Sequence, residues 1–411
     1  MYEVYKTKNI LNIQKHCDGG WFWVKYSAYP YTGCEWGCEY CYCRDERYSH
    51  YKTQEFEDPF SQYIKIKENA PELLRKSLKN KPKDLIYLDN YQPVETKYRY
   101  VREMLKVCLE LEFPVFINEK SPLLLQDLDI LKKINERSYL NVGWSIITTE
   151  DKTRRIFEPK APSVKSRFNA MKKLSDNNIM TGTVFIPILP FICDNEKNIE
   201  AVIKKTKECG GEYILDGGLT LNGYCGTHFY RVLGRYNPDL VTEYKKLYAN
   251  PKLLSKHTFK VHEQVLKYCK KYGIKHYIPR PVSFYPEELQ INKKIAEILY
   301  LEARELQISG DYREWAYRKA AWSIDDLKES IEKIYREKGI DGLLQIRGIG
   351  KKLASLIEEF LNNLKGGENM PKCKDCKFYK PIDETKGDCF GHVVPANMDA
   401  ERCPTKSFQP K

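Results

Sequence analysis

The sequence predicts an α/β protein with two smaller additions. Residues 1–289 read as a parallel sheet covered by helices, residues 290–365 as an all-α domain, and residues 366–411 as a short metal-stapled segment. Three observations predict this. Through residue 289, short apolar runs alternate with charged amphipathic stretches, the pattern of strand–helix units that build a parallel sheet. After Ile278-Pro-Arg-Pro-Val-Ser-Phe-Tyr-Pro286 the strand-like runs stop and only helical periodicity continues, the prolines marking a linker. Beyond Gly366-Gly367, four cysteines fall in a segment too short to build its own core without a metal.

The strands of the first part are read at Asp84–Leu88, Phe113–Ile117, Asn141–Ile146, Gly182–Ile186 and Ile214–Leu221. Helical patterns lie between them, at Tyr100–Leu111, Leu123–Glu136, Lys165–Asp176 and Asn195–Cys209. Active sites of such folds lie at the C-terminal ends of the strands. The loops there are polar: Asp89-Asn-Tyr-Gln-Pro93, Asn118-Glu-Lys-Ser121 and Ile147-Thr-Thr-Glu150.

Close to the N-terminus, Cys34, Cys38 and Cys41 stand at C-x3-C-x2-C spacing in Tyr31-Thr-Gly-Cys-Glu-Trp-Gly-Cys-Glu-Tyr-Cys41. The spacing brings three thiolates to one corner of a loop, and the two glycines let the backbone fold around something bulky. Three thiolates are one short of the set that a [4Fe-4S] cluster takes, which leaves one iron open. An open iron is what S-adenosylmethionine (SAM) chelates in a radical SAM enzyme, and Tyr40 ahead of the last cysteine fits that loop. A zinc knuckle completed by Cys17 or Cys43, or plain core cysteines, are the competing readings.

The bulk composition sets bounds. The chain has 411 residues, 14 cysteines and a formal net charge of +12. MYEVYKTKNI has no apolar signal region, and no run approaches the roughly 20 apolar residues of a membrane span. A cytoplasmic protein without membrane contact is expected, in which clustered cysteines mean metal rather than disulfides. Residues 291–411 carry 22 Lys and Arg against 20 Asp and Glu, so most of the positive excess lies in residues 1–290. A basic catalytic domain suits a polyanionic partner, and equally a solvated surface with none.

The runs YPYTGCEWGCEYCYCR, LDNYQPVE, INEKSPLLLQDLDIL, GWSIITTED, FEPKAPSVKSRF and FIPILPFICDNE, in that order, resemble the spore-photoproduct-lyase-like branch of radical SAM enzymes. The resemblance implies a partial (β/α)6 radical SAM barrel. It implies SAM held near Lys120 and Ser145, with Lys120 pairing the SAM carboxylate, Ser145 bonding its ribose or amino-acid part, and Tyr40 packing on the adenine. Glu158 and Arg167 are read either as a structural ion pair or as substrate contacts. Photoproduct lyases of that branch use a cysteine hydrogen-atom donor near the end of the second strand. The corresponding DLIYLDNYQP has none; Cys43, Cys193 and Cys225 are candidate substitutes, each also readable as an ordinary packed thiol.

In residues 290–365 helical patterns run over Asn292–Glu305, Tyr312–Ala321, Ile324–Lys338 and Ile340–Leu344. Gly348-Ile349-Gly350 then joins two short helices, exposing backbone N–H groups at the second helix's N-terminus, where a phosphate is stabilised. Lys351 and Lys352 add charge there, and such a helix-hairpin-helix contacts backbone phosphates rather than bases. The stretch, with Ala316-Tyr-Arg-Lys-Ala-Ala321, resembles the small N-terminal domain of DNA polymerase beta and other family X polymerases. Leu356 stands at the position of that family's Schiff-base lysine, so a DNA-binding module without lyase chemistry is implied, with Lys352 at a phosphate-binding position.

Cys373, Cys376, Cys389 and Cys403 supply four thiols to the last segment, for a zinc ribbon or a second [4Fe-4S] cluster. The wording KCKDCKFYKPID…KGDCFG…RCP resembles the small iron–sulfur subunits of benzylsuccinate synthase and related glycyl radical enzymes, which favours the cluster. The leading expectation is a radical SAM enzyme acting on DNA, in photoproduct-lyase-like repair or base modification, served by a reductant such as flavodoxin or ferredoxin. A glycyl-radical-enzyme activase or peptide modifier is the alternative enzyme, and a nucleic-acid-binding redox sensor the alternative without turnover.

Overall fold

Seven strands form the main sheet of the computed structural model, which describes residues 1–45, 58–368, 380–382, 386–389 and 392–395. In chain order the strands of the first part are β1 (Tyr2–Tyr5), β2 (Leu11–Ile13), β3 (Tyr26–Ala28), β4 (Tyr31–Thr32), β5 (Ile64–Lys67), β6 (Ile86–Leu88), β7 (Val115–Glu119), β8 (Leu140–Ser145), β9 (Met180–Ile188) and β10 (Ile214–Gly218). The main sheet runs β10-β9-β8-β7-β6-β3-β2. From β3 to β10 every neighbouring pair is parallel, and only β2 lies antiparallel on the edge. Six parallel strands laid side by side in chain order are the (β/α)6 arrangement the resemblance implied. Strands β1, β5 and β4 form a separate small sheet.

All six residues of β8, Leu-Asn-Val-Gly-Trp-Ser, are buried, as in a parallel sheet covered on both faces. Gly143 and Gly182 face each other across β8 and β9 because Tyr213 crowds the same spot. A Cβ on Gly182 would fall 2.5 Å from the Tyr213 carbonyl oxygen. The covering helices include Tyr100–Glu110, Leu128–Arg137, Val164–Ser175 and Glu196–Glu208, close to the spans read from the sequence. The first turns of the second differ: Pro122–Asp127 winds as a 3₁₀ helix, where Pro122 and the Ser121 cap set a tighter start.

After β10 come three helices that periodicity did not single out, Gly223–Tyr236, Pro238–Ala249 and Pro251–Tyr272. Two of them open with Asn-Pro. The Asn237 carboxamide accepts from the Asp239 amide at 3.1 Å and that of Asn250 from the Leu253 amide at 3.1 Å, while proline occupies the first helical position. Gly273, at φ 59°, ends the last one in the left-handed conformation.

The chain divides into two units, Met1–Trp322 and Ser323–Lys411. The helix Glu287–Ser309, read from sequence as the start of the helical domain, is built into the first unit. Its Arg304 is buried against Asp216 of β10 at 2.7 Å. Its Tyr300 hydroxyl lies 3.6 Å from Cys17, and a Cβ on Gly19 would strike the Tyr300 ring at 2.2 Å. The helix therefore bridges the last parallel strand and the segment that enters the first. Amphipathic periodicity records that a face is buried but not what covers it.

In the second unit the helix Ile331–Leu344 bends at Gly339, between two stretches read separately from the sequence. It pairs with Lys351–Glu368, the Tyr335 hydroxyl donating to Glu358 at 2.7 Å. Three short strands follow, β11 (Lys380–Pro381), β12 (Lys386–Cys389) and β13 (His392–Pro395), paired antiparallel. Among the described residues no helix is long and apolar enough to cross a membrane.

Candidate active site

The parallel strands end on one rim, at Ala28, Leu88, Glu119, Ser145, Ile188 and Gly218, and the cysteine loop sits beside it. The loop leaves β4 through Gly33, at φ 91°, and turns again at Gly37, at φ 58°. Both need the left-handed region that glycine enters without cost. The Gly37 amide donates to the Cys34 carbonyl at 3.1 Å and the Cys41 amide to the Cys38 carbonyl at 3.2 Å. Arg44, which sequence reasoning did not single out, locks the loop from beneath. Its Nε donates to the Cys38 carbonyl at 2.9 Å and its Nη2 to the Gly37 carbonyl at 2.8 Å, while Asp58 pairs with it at 2.6 Å. Phe60 lies under the guanidinium, 5.0 Å from ring centre to Cζ. Only arginine has enough fixed donors for two carbonyls and a carboxylate together.

The three thiols are unbonded cysteines that act on one another. Burial, with Cys38 and Cys41 alongside, pushes the Cys34 thiol well above its ordinary range. Burial also pushes Cys38 up to about 12, against the opposing pull of Lys120. Cys41 is drawn down to about 7 by a hydrogen bond from Cys43. Buried thiols ionise more readily beside strong positive charge, which iron would provide. Among the described residues no three Cys, His, Asp or Glu side chains converge as ligands of a single ion.

Across the rim, four elements bring Tyr40, Lys120 and Ser145 together around Glu158. The Lys120 ammonium follows β7, donates to the Ser145 hydroxyl at the end of β8, and lies 3.4 Å from Glu158. It also sits 5.7 Å from the centre of the Tyr40 ring. The Tyr40 hydroxyl donates to the other side of this network, at Glu158. Arg167, from the helix Val164–Ser175, pairs with Glu158 and donates to the Ser145 carbonyl at 2.9 Å. Burial pushes the Glu158 carboxyl up, but Arg167 and Lys120 outweigh it and hold it at about 2. Glu158 and Arg167 are thus an ion pair, as one of the two sequence readings had it, and one that also seats Lys120 and Tyr40.

The β6 and β7 ends add a second polar layer. Glu119 accepts from the Tyr91 amide at 2.6 Å, and the Tyr87 hydroxyl donates to Asp89 at 2.8 Å. Burial, then Asp89 beside it, pushes the Glu119 carboxyl far up, and burial raises Asp89 as well. The Asn90 carboxamide oxygen lies 3.9 Å from the Cys34 sulfur. Gln92 braces the loop, accepting from the Glu35 amide at 2.7 Å and donating to the Gly33 carbonyl at 3.1 Å. The sequence marked these loops as polar; it did not show which side chains reach the cysteine loop.

Cys193 is buried in the apolar cluster that holds Cys38 and Tyr40. Cys225 is buried after β10, its thiol donating to the Asn222 carbonyl at 2.8 Å. Cys43 lies on the cysteine loop beside Cys41. In the helical hairpin, Gly348 has φ 84°, the space where a Gly350 Cβ would stand is open, and Lys351 and Lys352 are exposed. Cys373, Cys376 and Cys403 lie outside the described residues, and Cys389 ends strand β12.

Comparison with known proteins adds two families. Residues 28–205 match the model of the radical SAM superfamily, and residues 290–365 match a helix-hairpin-helix domain. An uncharacterized protein of Methanocaldococcus jannaschii is 32% identical over 187 residues, which are 45% of this chain and 66%, just under two thirds, of that protein. One from Mycobacterium tuberculosis is 23% identical over 262 residues, covering 61% of this chain and 75% of its own. Among solved structures, spore photoproduct lyase complexed with dinucleoside spore photoproduct aligns with TM-score 0.46 and 14% identity, covering 67% of this chain and 81% of that one. Streptococcus suis SuiB bound to its precursor peptide aligns with TM-score 0.36 and 15% identity, covering 53% and 46%.

Proposed function

We propose, from the premise that this chain carries a radical SAM domain at residues 28–205 and a helix-hairpin-helix domain at 290–365, that it is a radical SAM enzyme acting on DNA. The radical SAM domain makes it an enzyme; the DNA substrate is the further step. That step rests on one observation. The hairpin Gly348-Ile349-Gly350 opens the helix Lys351–Glu368 with exposed lysines at its first two positions, the arrangement that holds a backbone phosphate.

Cys34, Cys38 and Cys41 would hold a [4Fe-4S] cluster, and Lys120, Ser145 and Tyr40 would seat SAM beside it. When bound, the pair supplies a 5′-deoxyadenosyl radical for hydrogen abstraction. The chain's own residues do the rest. Arg44 fixes the Gly37 and Cys38 carbonyls and with them the turn of the cysteine loop. Glu158, kept ionised by Arg167, holds the Lys120 ammonium in place for a carboxylate. The apolar cluster of Cys38, Tyr40, Ile147, Phe157 and Leu189 walls the site against water. A flavodoxin or ferredoxin would supply the electron. Cys373, Cys376, Cys389 and Cys403 would hold a second [4Fe-4S] cluster, or zinc in its place. A target base would reach the rim only if unpaired or flipped out.

Fluorescence anisotropy with labelled DNA tests the substrate. Gly350→Ala, which the open space and unstrained backbone admit, and Lys352→Glu should each weaken a salt-sensitive affinity several-fold. Unchanged binding in both variants sinks the DNA reading. For the chemistry, anaerobic reconstitution should give about eight irons, and a Cys34/Cys38/Cys41 triple alanine variant about half that. No 5′-deoxyadenosine from the reduced protein with SAM, with or without DNA, overturns the enzyme reading.

A further inference from the structure

The helix Gly223–Tyr236 carries a surface pattern that the SAM contacts described above do not use. Its inner face, with Cys225, Phe229 and Leu233, is buried. Its outer face presents Tyr224, His228, Arg231 and Arg235, spaced four, three and four residues apart, so they form one stripe. Tyr224 and both arginines are exposed. The Arg231 guanidinium lies 5.8 Å from the centre of the Tyr224 ring. No Asp or Glu occurs between Asp216 and Asp239, and among the described residues neither arginine is in an ion pair.

The stripe is continuous with the site. His228 Nε2 is bonded to Glu39, between two of the loop cysteines, at 2.5 Å. Gly223, at φ 56°, begins the helix where a Cβ would fall 2.0 Å from the buried Asp45 carboxylate, just beyond the cysteine loop. Tyr42, on that loop, is 55% exposed. The helix thus starts against the cysteine loop and carries its aromatic and cationic side chains outward from it.

We propose that this stripe binds a single-stranded segment of nucleic acid beside the barrel mouth, with Arg231 and Arg235 on its phosphates and Tyr224 and Tyr42 as stacking faces for bases. The inference rests on the DNA reading above and specifies where the strand runs. Charge complementarity selects the occupant: two exposed guanidinium groups with no ion pair among the described residues and no neighbouring carboxylate on the helix suit a polyanion, and exposed tyrosines suit unstacked bases. From Tyr224 to Arg235 the helix rises about 16 Å, which matches about five nucleotides at the stacked spacing of one strand. A strand opened at that spacing also satisfies the need for an unpaired base at the rim.

The test uses the full chain and labelled single-stranded DNA and RNA oligonucleotides of twelve or so residues, by anisotropy across a salt series. Arg231→Glu/Arg235→Glu should weaken single-strand binding at least ten-fold and lower the slope of log affinity against log salt by about 1.4, the value for two phosphate contacts. Tyr224→Ala should weaken it roughly ten-fold with the slope kept, as loss of one stacked base does. Arg231→Gln/Arg235→Gln repeats the charge loss without adding acid, and a thermal midpoint near wild type shows that each variant folds. Unchanged affinity and slope in the arginine variants overturn the stripe, even where Lys352→Glu still weakens duplex binding and so keeps the DNA reading. An acidic peptide that competes with the oligonucleotide and loses affinity equally assigns the stripe to a protein partner and overturns the proposal. A wild-type chain that binds no oligonucleotide overturns both readings.

Discussion

Replacing Arg167 with methionine should cost the first unit roughly 3 kcal/mol at neutral pH, and much less in acid. Arg167 is fully buried and pairs with Glu158, which has no exposed surface. Methionine fills similar volume but leaves the carboxylate with Lys120, at 3.4 Å, as its remaining cation. Glu158 is held at about 2 rather than 4.5. That difference corresponds to roughly 3 kcal/mol, the same order as the 3–5 kcal/mol typical of a broken buried pair. The sign follows from the direction. A depressed carboxyl contributes stability that is present above its unfolded value of 4.5 and lost as pH falls through 2. The penalty of Arg167→Met should therefore be largest at pH 7 and shrink toward pH 3, where Glu158 freed of its partner takes up a proton. Urea unfolding at pH 7 and at pH 3.5 reads this: a midpoint lowered by roughly 0.5–1 M at pH 7 and by clearly less at pH 3.5. Arg167→Met/Glu158→Gln should recover part of the loss. A loss below about 1 kcal/mol at pH 7, or one equally large in acid, would refute the reasoning.

Two further outcomes concern the last parallel strand and the helix packed on it. His262 sits between Asp216 and Glu305, both at 2.8 Å, and although burial works against its charge, these partners raise it to about 9. Its contribution is complete below pH 6.5 and is lost as pH rises through 9, so wild type should lose on the order of 2–3 kcal/mol across that window while His262→Gln shows a flatter profile; parallel profiles would contradict this. Chains cut after residue 322 and after residue 289 should behave differently, because the second cut removes the helix whose Ile295, Leu299, Tyr300 and Ala303 are buried. The longer piece should unfold cooperatively and the shorter one should aggregate or melt well below it; equal melting points would show the helix to be dispensable.

Much of the barrel was legible because its strands are apolar runs bounded by polar loops. Leu-Asn-Val-Gly-Trp-Ser and Met-Thr-Gly-Thr-Val-Phe-Ile-Pro-Ile carry enough contiguous burial to be read. The first parallel strand, Tyr26-Ser-Ala28, is three residues with a serine at its centre and carries no such signal. Lys120 and Ser145 came from a resemblance, and the fold sets them in contact. Glu158 was read from the sequence only with Arg167; its tie to Tyr40 lay beyond sequence reasoning, since the two are 118 residues apart and no local pattern links them. Arg44 was hidden for another reason: its partners are backbone carbonyls, which every residue has. The C-terminal cysteines are the converse case, plain in spacing, with Cys373, Cys376 and Cys403 outside the described residues.

The helix that joins the two ends of the parallel set has a consequence in time. Cys17 meets Tyr300 across 283 residues of chain, and the Trp23 indole meets the Ile278 carbonyl across 255. Contacts of such sequence separation are late in folding, because loop closure precedes their reward. At ribosomal speeds of about 5–20 residues per second, roughly a quarter of a minute to a minute passes between synthesis of the two sides. Throughout that interval the segment that enters the first parallel strand exists, but the helix that covers it does not. A nascent chain stalled before Arg304 should thus leave Asp216 and the Cys17–Gly20 segment open to solvent and to chaperones, and release from the stall is what covers them.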